Sequence, residues 1–300
     1  MNKINRELLE TLAPLESVTR NWMRTSVSVI NGFATRLSQL YFSARPYGHR
    51  DYTPFVILGT ARIGSTLLMT LLRSHPQMVV YPEVFLPRRL GLNSYLQHHP
   101  VDFLDRSIYR VYPKDIKAVG FKLFYGQAKS EIAMKRVKMR GGADKERLKR
   151  LDDVRPYLLG KQNLKIIHLK RKNLLRSLLS LKRAWHTKSW QQKKARASEY
   201  PDIEIGYEEA KAFFSKIERE AGENARFFDA RERLEVEYEQ LVQNPKPVLE
   251  RIQQFLGIPE RELSSPLRQQ GSDRLSTALG NYTELKARFH GTSWSRFFEE

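Results

Sequence analysis

Cysteine is absent from the 300 residues. That excludes disulfides and thiolate metal ligands, and it favours a reducing, cytoplasmic setting. Long apolar runs are missing too. Nothing approaches the ~18 uninterrupted apolar residues of a membrane-spanning helix, and no early segment has the apolar core and cleavage site of a signal peptide. The seven histidines show no ligand spacing such as HExxH, and the carboxylates form no obvious cation cage, so no metal is expected. Acidic residues are scarce, 33 against 52 Lys and Arg, which gives a formal net charge of +19. The imbalance is concentrated. From Lys129 to Arg196 there are 22 Lys and Arg and 5 Asp and Glu. Such a segment attracts a polyanion, an anionic membrane surface or a highly charged small molecule. A solvated basic face without a partner is the plain alternative.

Within residues 1–50, Val18, Trp22, Val29, Ile30, Phe33, Leu37, Leu40 and Tyr41 recur at three- and four-residue steps. This is an amphipathic helical pattern. Its apolar stripe is expected to pack on the main domain. A second subunit of a homo-oligomer or a peripheral membrane contact are the other partners it would fit. From residue 51 the period changes. Candidate strands are Phe55–Thr60, Met78–Tyr81, Ala118–Phe124, Leu164–Leu169 and Leu234–Tyr238. Helical segments alternate with them at Ser65–Ser74, from Leu174 to about Trp185, and from about Pro247 to Leu256, where Gly257 is a stop signal. Alternation of this kind predicts an α/β domain over 51–300, with a central, mainly parallel sheet flanked by helices. Residues 129–162 have the least regular pattern and read as an insertion or a flexible excursion.

The strand FVILGT runs into GTARIGST and then into STLLMTLLRS. Gly59 and Gly64 have the spacing of a phosphate-binding loop, which aims backbone N–H groups and the positive end of a helix at an anion. Ser65 and Thr66 add hydroxyls. A nucleoside-triphosphatase loop carries Lys directly after the second glycine. Here that place is Ser65, and the cation is Arg62, inside the loop. This suits a phosphosulfate better than ATP, because Arg62 can stabilise charge on a leaving phosphate. A tight strand-to-helix turn without ligand is the bland reading.

In LKIIHLKRKNLLRSLLSLKRAW a strand leads into a basic corner and then a helix. Lys170, Arg171 and Lys172 fall at the strand's C-terminal end, where open α/β sheets bind ligands. Arg171 is placed to hold a phosphate, with Ser177 and Ser180 in the first turns of the helix. A basic surface helix with ordinary serines is the alternative.

Together these motifs resemble those of the sulfotransferases that use PAPS (3′-phosphoadenosine-5′-phosphosulfate). GTARIGSTLL resembles the family's 5′-phosphosulfate loop, and HLKRKNLLRSLLS its 3′-phosphate element. The nearest likeness is to members acting on carbohydrates and lipo-oligosaccharides. AVGFKLFYGQ, LEVEYEQLVQNPKPVLERIQQFLGI and LSTALGNYTELKARFHGTSWSRFF fit that group as well. The likeness runs from about Tyr52 to the C-terminus. It implies a P-loop-like three-layer fold, PAPS as donor, PAP as product, and a hydroxyl-bearing acceptor such as a carbohydrate, glycolipid or other small alcohol. Arg62, Ile63, Gly64, Ser65, Thr66 and Leu67 would line the 5′-phosphosulfate site. Arg171 and Ser180 would hold the 3′-phosphate. The family's usual step from Arg to Ser is eight residues and here it is nine, so either the loop has one extra residue or Lys172 takes the Arg's place. Arg268, in RQQGSDR, would cover the nucleotide.

Sulfuryl transfer needs a base for the acceptor hydroxyl. In the carbohydrate-directed branch a Glu after the first helix serves, and YPEVF offers Glu83. A surface ion pair is the other role for it. His75, just before Pro76, is the rival base, although a helix-end contact is the commoner job there. His168 reads as a packed core histidine. Lys122 in GFKLF projects either toward the site or to solvent. Competing functions are a P-loop kinase, against which the missing loop Lys argues, and a polyanion- or membrane-binding protein. Nucleic acid is the weaker partner.

Overall fold

A computed structural model describes residues 48–86, 94–136, 148–186, 203–267 and 274–299. The stripe expected in residues 1–50 therefore lies almost wholly outside the described residues, as does Arg268. Among the described residues there are seven strands: β1 Gly48–His49, β2 Thr53–Gly59, β3 Met78–Tyr81, β4 Tyr112–Pro113, β5 Ala118–Phe124, β6 Lys165–Lys170 and β7 Arg233–Glu237. β1 and β4 make a small antiparallel ribbon. The other five form one sheet in the order β3-β5-β2-β6-β7, with every pairing parallel.

β2 is a continuous apolar run because it is the middle strand and both of its faces are covered. Val56 and Leu58 join one core with Phe121, Leu123 and Ile166. Phe55 and Ile57 face the opposite core with Ala118, Ile167 and Leu169. Helices are numbered here along the chain: α1 Ser65–Arg73, α2 Ser130–Arg136, α3 Val154–Gly160, α4 Leu174–His186, α5 Tyr207–Phe227, α6 Tyr238–Gln243 and α7 Pro245–Leu256. α1 and α7 cover the Phe55 face through Leu68, Leu72, Leu249 and Ile252. α3, α4 and α5 cover the other through Leu158, Leu175, Leu178 and Phe214. The result is the expected three-layer α/β architecture. Gly257 ends α7 in the left-handed region, φ 69°, where glycine carries no Cβ penalty.

The expectation for residues 129–162 is an insertion or a flexible excursion. Their described part is helical, comprising α2, a 3₁₀ turn at Arg150–Asp153 and α3. Leu148, Leu151, Val154 and Leu158 are fully buried in the main core. Their three- and four-residue spacing is a helical stripe that the interspersed charges mask.

β2 lies between β5 and β6, so the chain leaves it toward one side for β3 and β5 and toward the other for β6 and β7. This is a topological switch point. The crevice outside the strands' C-terminal ends is where such sheets place ligands. No helix among the described residues is long and apolar enough to cross a membrane.

Candidate active site

The turn after β2 sits at that switch point. Arg62 and Gly64 both take left-handed backbone, φ 65° and φ 82°. For Gly64 this is free, whereas for Arg62 it costs about 1–2 kcal/mol, strain of the kind that collects at ligand sites. A Cβ on Gly64 would also stand 2.2 Å from Tyr238 Cδ2, so any larger residue would have to displace that ring. α1 begins at Ser65 with no acidic residue in its first turn and no side-chain cap. Its positive end is left for an anion. Ile63 is buried in the apolar core, so it offers the site its backbone alone. Leu67 is partly buried against the same core.

The second corner, after β6, faces this loop. Arg62 Nε donates to Ser180 Oγ at 3.0 Å. Arg171 Nη1 donates to the Arg62 carbonyl at 3.0 Å. The Arg171 guanidinium also lies 4.7 Å from the Tyr238 ring centroid, a cation–π distance. Its Nε is buried without a hydrogen-bond partner. Burial pulls the pKa of this group below the usual Arg value, opposed by Tyr238 and Glu239. A buried cation with an unsatisfied donor is poised for an anion. Lys172 differs: its side chain is 63% exposed and paired with Glu237 at 2.8 Å. Arg171, and not Lys172, is thus the cation held against the loop. Ser177 Oγ, one turn before Ser180, is buried and unpartnered.

On the other side of β2, Lys122 turns inward. It shares strand parity with Ala118 and Gly120, on the α1 face. Its side chain is only 3% exposed. Lys122 Nζ lies 2.6 Å from Glu83 Oε1, 3.2 Å from Thr66 Oγ1 and 3.5 Å from Ser65 Oγ. Of the two orientations open to Lys122, the molecule takes the one toward the loop. Glu83, 20% exposed, is held beside the start of α1 by this ion pair. Lys122 thus adds a second cation beside the loop, from the neighbouring strand.

His75 is elsewhere. It follows the C-terminal end of α1, a nine-residue helix that rises about 13 Å from the loop. Its Nδ1 accepts from Gln77 N at 3.0 Å. Its Nε2 therefore carries the proton and donates to the Pro259 carbonyl at 2.9 Å. Both ring nitrogens are engaged in structure, and the ring is fully buried. His168 is likewise fully buried. Its Nε2 meets Tyr125 OH at 2.7 Å, and burial first, then Lys170, pushes its pKa down to about 4.

Sequence reasoning assigned no role to Tyr238, which lies against both corners, or to Glu239, which accepts from the backbone of the second, and left Lys122 undecided. The signal for Lys122 was a lone Lys on an otherwise apolar strand whose same-face neighbours are Ala and Gly. Among the described residues no cluster of three or more His, Asp or Glu is placed to hold a metal ion.

The arrangement gathers Arg62, Lys122, Arg171, two hydroxyl-bearing helix starts and one carboxylate at a single switch point. Comparison with known proteins gives the family. The sulfotransferase family model matches residues 54–262. Nodulation protein H of Rhizobium tropici is 29% identical over 248 residues, covering 82% of this chain and 93% of that protein. Nodulation protein H of Rhizobium meliloti is 26% identical over 261 residues, covering 82% and 95%. Among solved structures, a sulfotransferase from Alicyclobacillus acidocaldarius has 13% identity and a TM-score of 0.39 over 79% of this chain and 91% of that one. The sulfotransferase domain of the Synechococcus PCC 7002 olefin synthase has 20% identity and a TM-score of 0.40, covering 79% and 84%. The family match spans the loop at Arg62, the corner at Arg171 and the carboxylate at Glu83 alike, and on that match this chain belongs to the sulfotransferase family.

Proposed function

We propose that PAPS is the donor, that Arg62 through Leu67 hold its 5′-phosphosulfate, and that Arg171 and Ser180 hold its 3′-phosphate. The observation that carries this reading is the meeting of the two corners through Arg62–Ser180 and Arg171–Arg62. Two anion sites so close together suit one bisphosphorylated nucleotide. The unpartnered, buried Arg171 Nε supports an anion there, since a phosphate would satisfy it.

In the reaction the acceptor hydroxyl oxygen attacks sulfur, and the bond from sulfur to the bridging phosphate oxygen breaks. The electron pair stays on the phosphate, giving PAP, and the hydroxyl proton passes to Glu83. Arg62, Lys122 and the start of α1 are the groups available to stabilise the charge arriving on the phosphate. Lys122 sits between Glu83 and the α1 hydroxyls, so it would link base and leaving-group site. For the acceptor we favour a carbohydrate or glycolipid hydroxyl, as the sequence resemblance implies. Residues 1–50 are our candidate for a peripheral membrane contact; deletion of 1–50 should abolish sedimentation with anionic liposomes, and unchanged binding would remove that anchor.

The donor assignment is tested by thermal denaturation. A ligand that favours the native state raises its midpoint, so PAP should raise it well above the shift given by ATP. Equal shifts would count against PAPS. Glu83→Gln should keep the PAP shift and lose most turnover, whereas wild-type rates would place the base elsewhere.

A further inference from the structure

β5 is buried along its length except at its last residue. Phe124 closes the strand with its ring partly exposed, and it joins neither of the two apolar cores. A lone exposed ring is ordinary on a protein surface, but this one stands at the switch point. It shares strand parity with Lys122, and its register partner on β2 is Gly59, where the phosphate loop begins. The Lys122 ammonium lies 5.6 Å from the ring centroid and 2.6 Å from Glu83 Oε1. One lysine therefore separates the ring from the proposed base. The backbone that carries the ring is pinned. Phe124 N–H donates to Gln127 Oε1 at 3.1 Å, and the Phe124 carbonyl accepts from the Gln127 N–H at 2.8 Å. Tyr125 N–H donates to the Gly59 carbonyl at 2.8 Å, and the Tyr125 carbonyl accepts from the buried Arg155 Nη2 at 3.0 Å. Ala128 ends the turn in left-handed backbone, φ 52°, a conformation unfavourable for any residue with a Cβ and one that collects at ligand sites. The ring is thus aimed before anything binds, which lowers the cost of ordering it.

We propose that Phe124 is the platform for the acceptor: a pyranose ring lays its C–H face on the phenyl ring while its hydroxyl edge meets Glu83. This assignment rests on the carbohydrate acceptor and the Glu83 base of the preceding section. Two walls of unlike character meet at this place. Phe124 offers an apolar face and no hydrogen bond. Glu83, Lys122 and the α1 hydroxyls offer polar contacts. Small-molecule sites commonly combine an aromatic wall with a few placed polar groups. A pyranose matches both walls, because its C–H face is apolar and its rim carries hydroxyls. A wholly apolar alcohol would cover the Glu83 carboxylate without replacing its contact with water, which is unfavourable. Phe124 has no part in the donor assignment, so its effect is expected on the acceptor alone.

The test is steady-state transfer by the full chain at saturating PAPS. Acceptors are methyl glucopyranoside, methyl galactopyranoside, cellobiose and lactose, with cyclohexanol and phenol alongside. Phe124→Leu keeps an apolar side chain and removes the ring, whereas Phe124→Tyr keeps the ring. In Phe124→Leu the KM of the accepted sugar should rise about tenfold with kcat within about threefold of wild type, the mark of binding lost equally from ground and transition states. The KM for PAPS should not move. Phe124→Tyr should hold the sugar KM within about threefold of wild type. A ring that merely packs against Lys122 would do the reverse, lowering kcat and leaving the sugar KM alone. If the wild type uses a sugar and Phe124→Leu keeps its KM, the platform is wrong and the carbohydrate reading stands. If the wild type uses only cyclohexanol or phenol, or none of these compounds, the carbohydrate reading is wrong and the platform falls with it. Should Phe124→Leu fail to fold, Phe124→Met, unbranched and likewise without a ring, gives the same decision.

Discussion

Replacing Lys122 by Met should damage stability and turnover together, and the geometry sets both sizes. The ammonium is 3% exposed and 2.6 Å from a carboxylate that is 20% exposed. Removing one partner of a buried pair costs about 3–5 kcal/mol, because the other charge is left uncompensated. Glu83 retains some contact with water, which discounts the cost to just below that range, about 2–3 kcal/mol. Met fills a similar volume, so a cavity adds little. Turnover should fall by about 100-fold or more, the usual effect of removing one preorganised donor from a charge-stabilising site. The assay is urea unfolding alongside transfer of labelled sulfuryl groups, run on Lys122→Met, Glu83→Gln and the double variant. The double variant should be more stable than Lys122→Met, since it no longer buries a lone carboxylate, while its turnover should be no better. If Lys122→Met unfolds at the wild-type midpoint and turns over within about threefold of wild type, the pair neither stabilises the fold nor serves the reaction.

Three further outcomes follow from other parts of the molecule. His168 titrates near 4 when folded against an ordinary 6.5, so the unfolded chain binds the extra proton. Its contribution is complete above pH 6.5 and is lost as pH falls toward 4; between pH 7.5 and pH 4.5 this group alone should remove roughly 2–3 kcal/mol of stability, and His168→Gln should lose correspondingly less in paired urea titrations. Gly64→Ala should cost about 2–4 kcal/mol in unfolding free energy, from left-handed strain and from the clash with Tyr238, with PAP binding weakened as well; a near-neutral result would mean that the loop adopts another backbone path. Ser180→Ala should weaken PAP about tenfold, the worth of one hydrogen bond to a charged group, while leaving adenosine 5′-monophosphate nearly unchanged in calorimetry.

The alternation of apolar runs with helical patterns was enough to place β2, β3, β5, β6, α1, α4 and α7 within a few residues. Each of those strands is mostly apolar and is punctuated by Gly, Pro or a basic corner. The loop at Gly59–Gly64 and the corner at Arg171 stood out in the sequence because small residues, cations and hydroxyls follow one another there in the order a phosphate site would need. Their mutual approach was not, because it depends on strand order, which local pattern does not encode. The same holds for Lys122. Its parity with Ala118 and Gly120 marks the face, but only the position of α1 over that face turns a strand lysine into a buried one. Tyr238 was invisible for a related reason: a Tyr at a strand's end has no distinctive chemistry until a glycine and an arginine from two other segments arrive beside it. The helices of residues 148–160 were missed although the leucine spacing was present, since alternating acids and bases obscured it.

The placement of Lys122 limits how this fold can change nucleotide. Exchanging Ser65 for Lys would restore the letters of an ATP-binding loop, yet the new ammonium would have to share the ground already held by Lys122, whose Nζ reaches the Ser65 hydroxyl. Two confined positive charges would repel one another and force one to withdraw or to shed its proton. On the donor site proposed above, nucleotide preference would be written jointly by a loop and by a neighbouring strand, and rewriting it would take compensated changes in both.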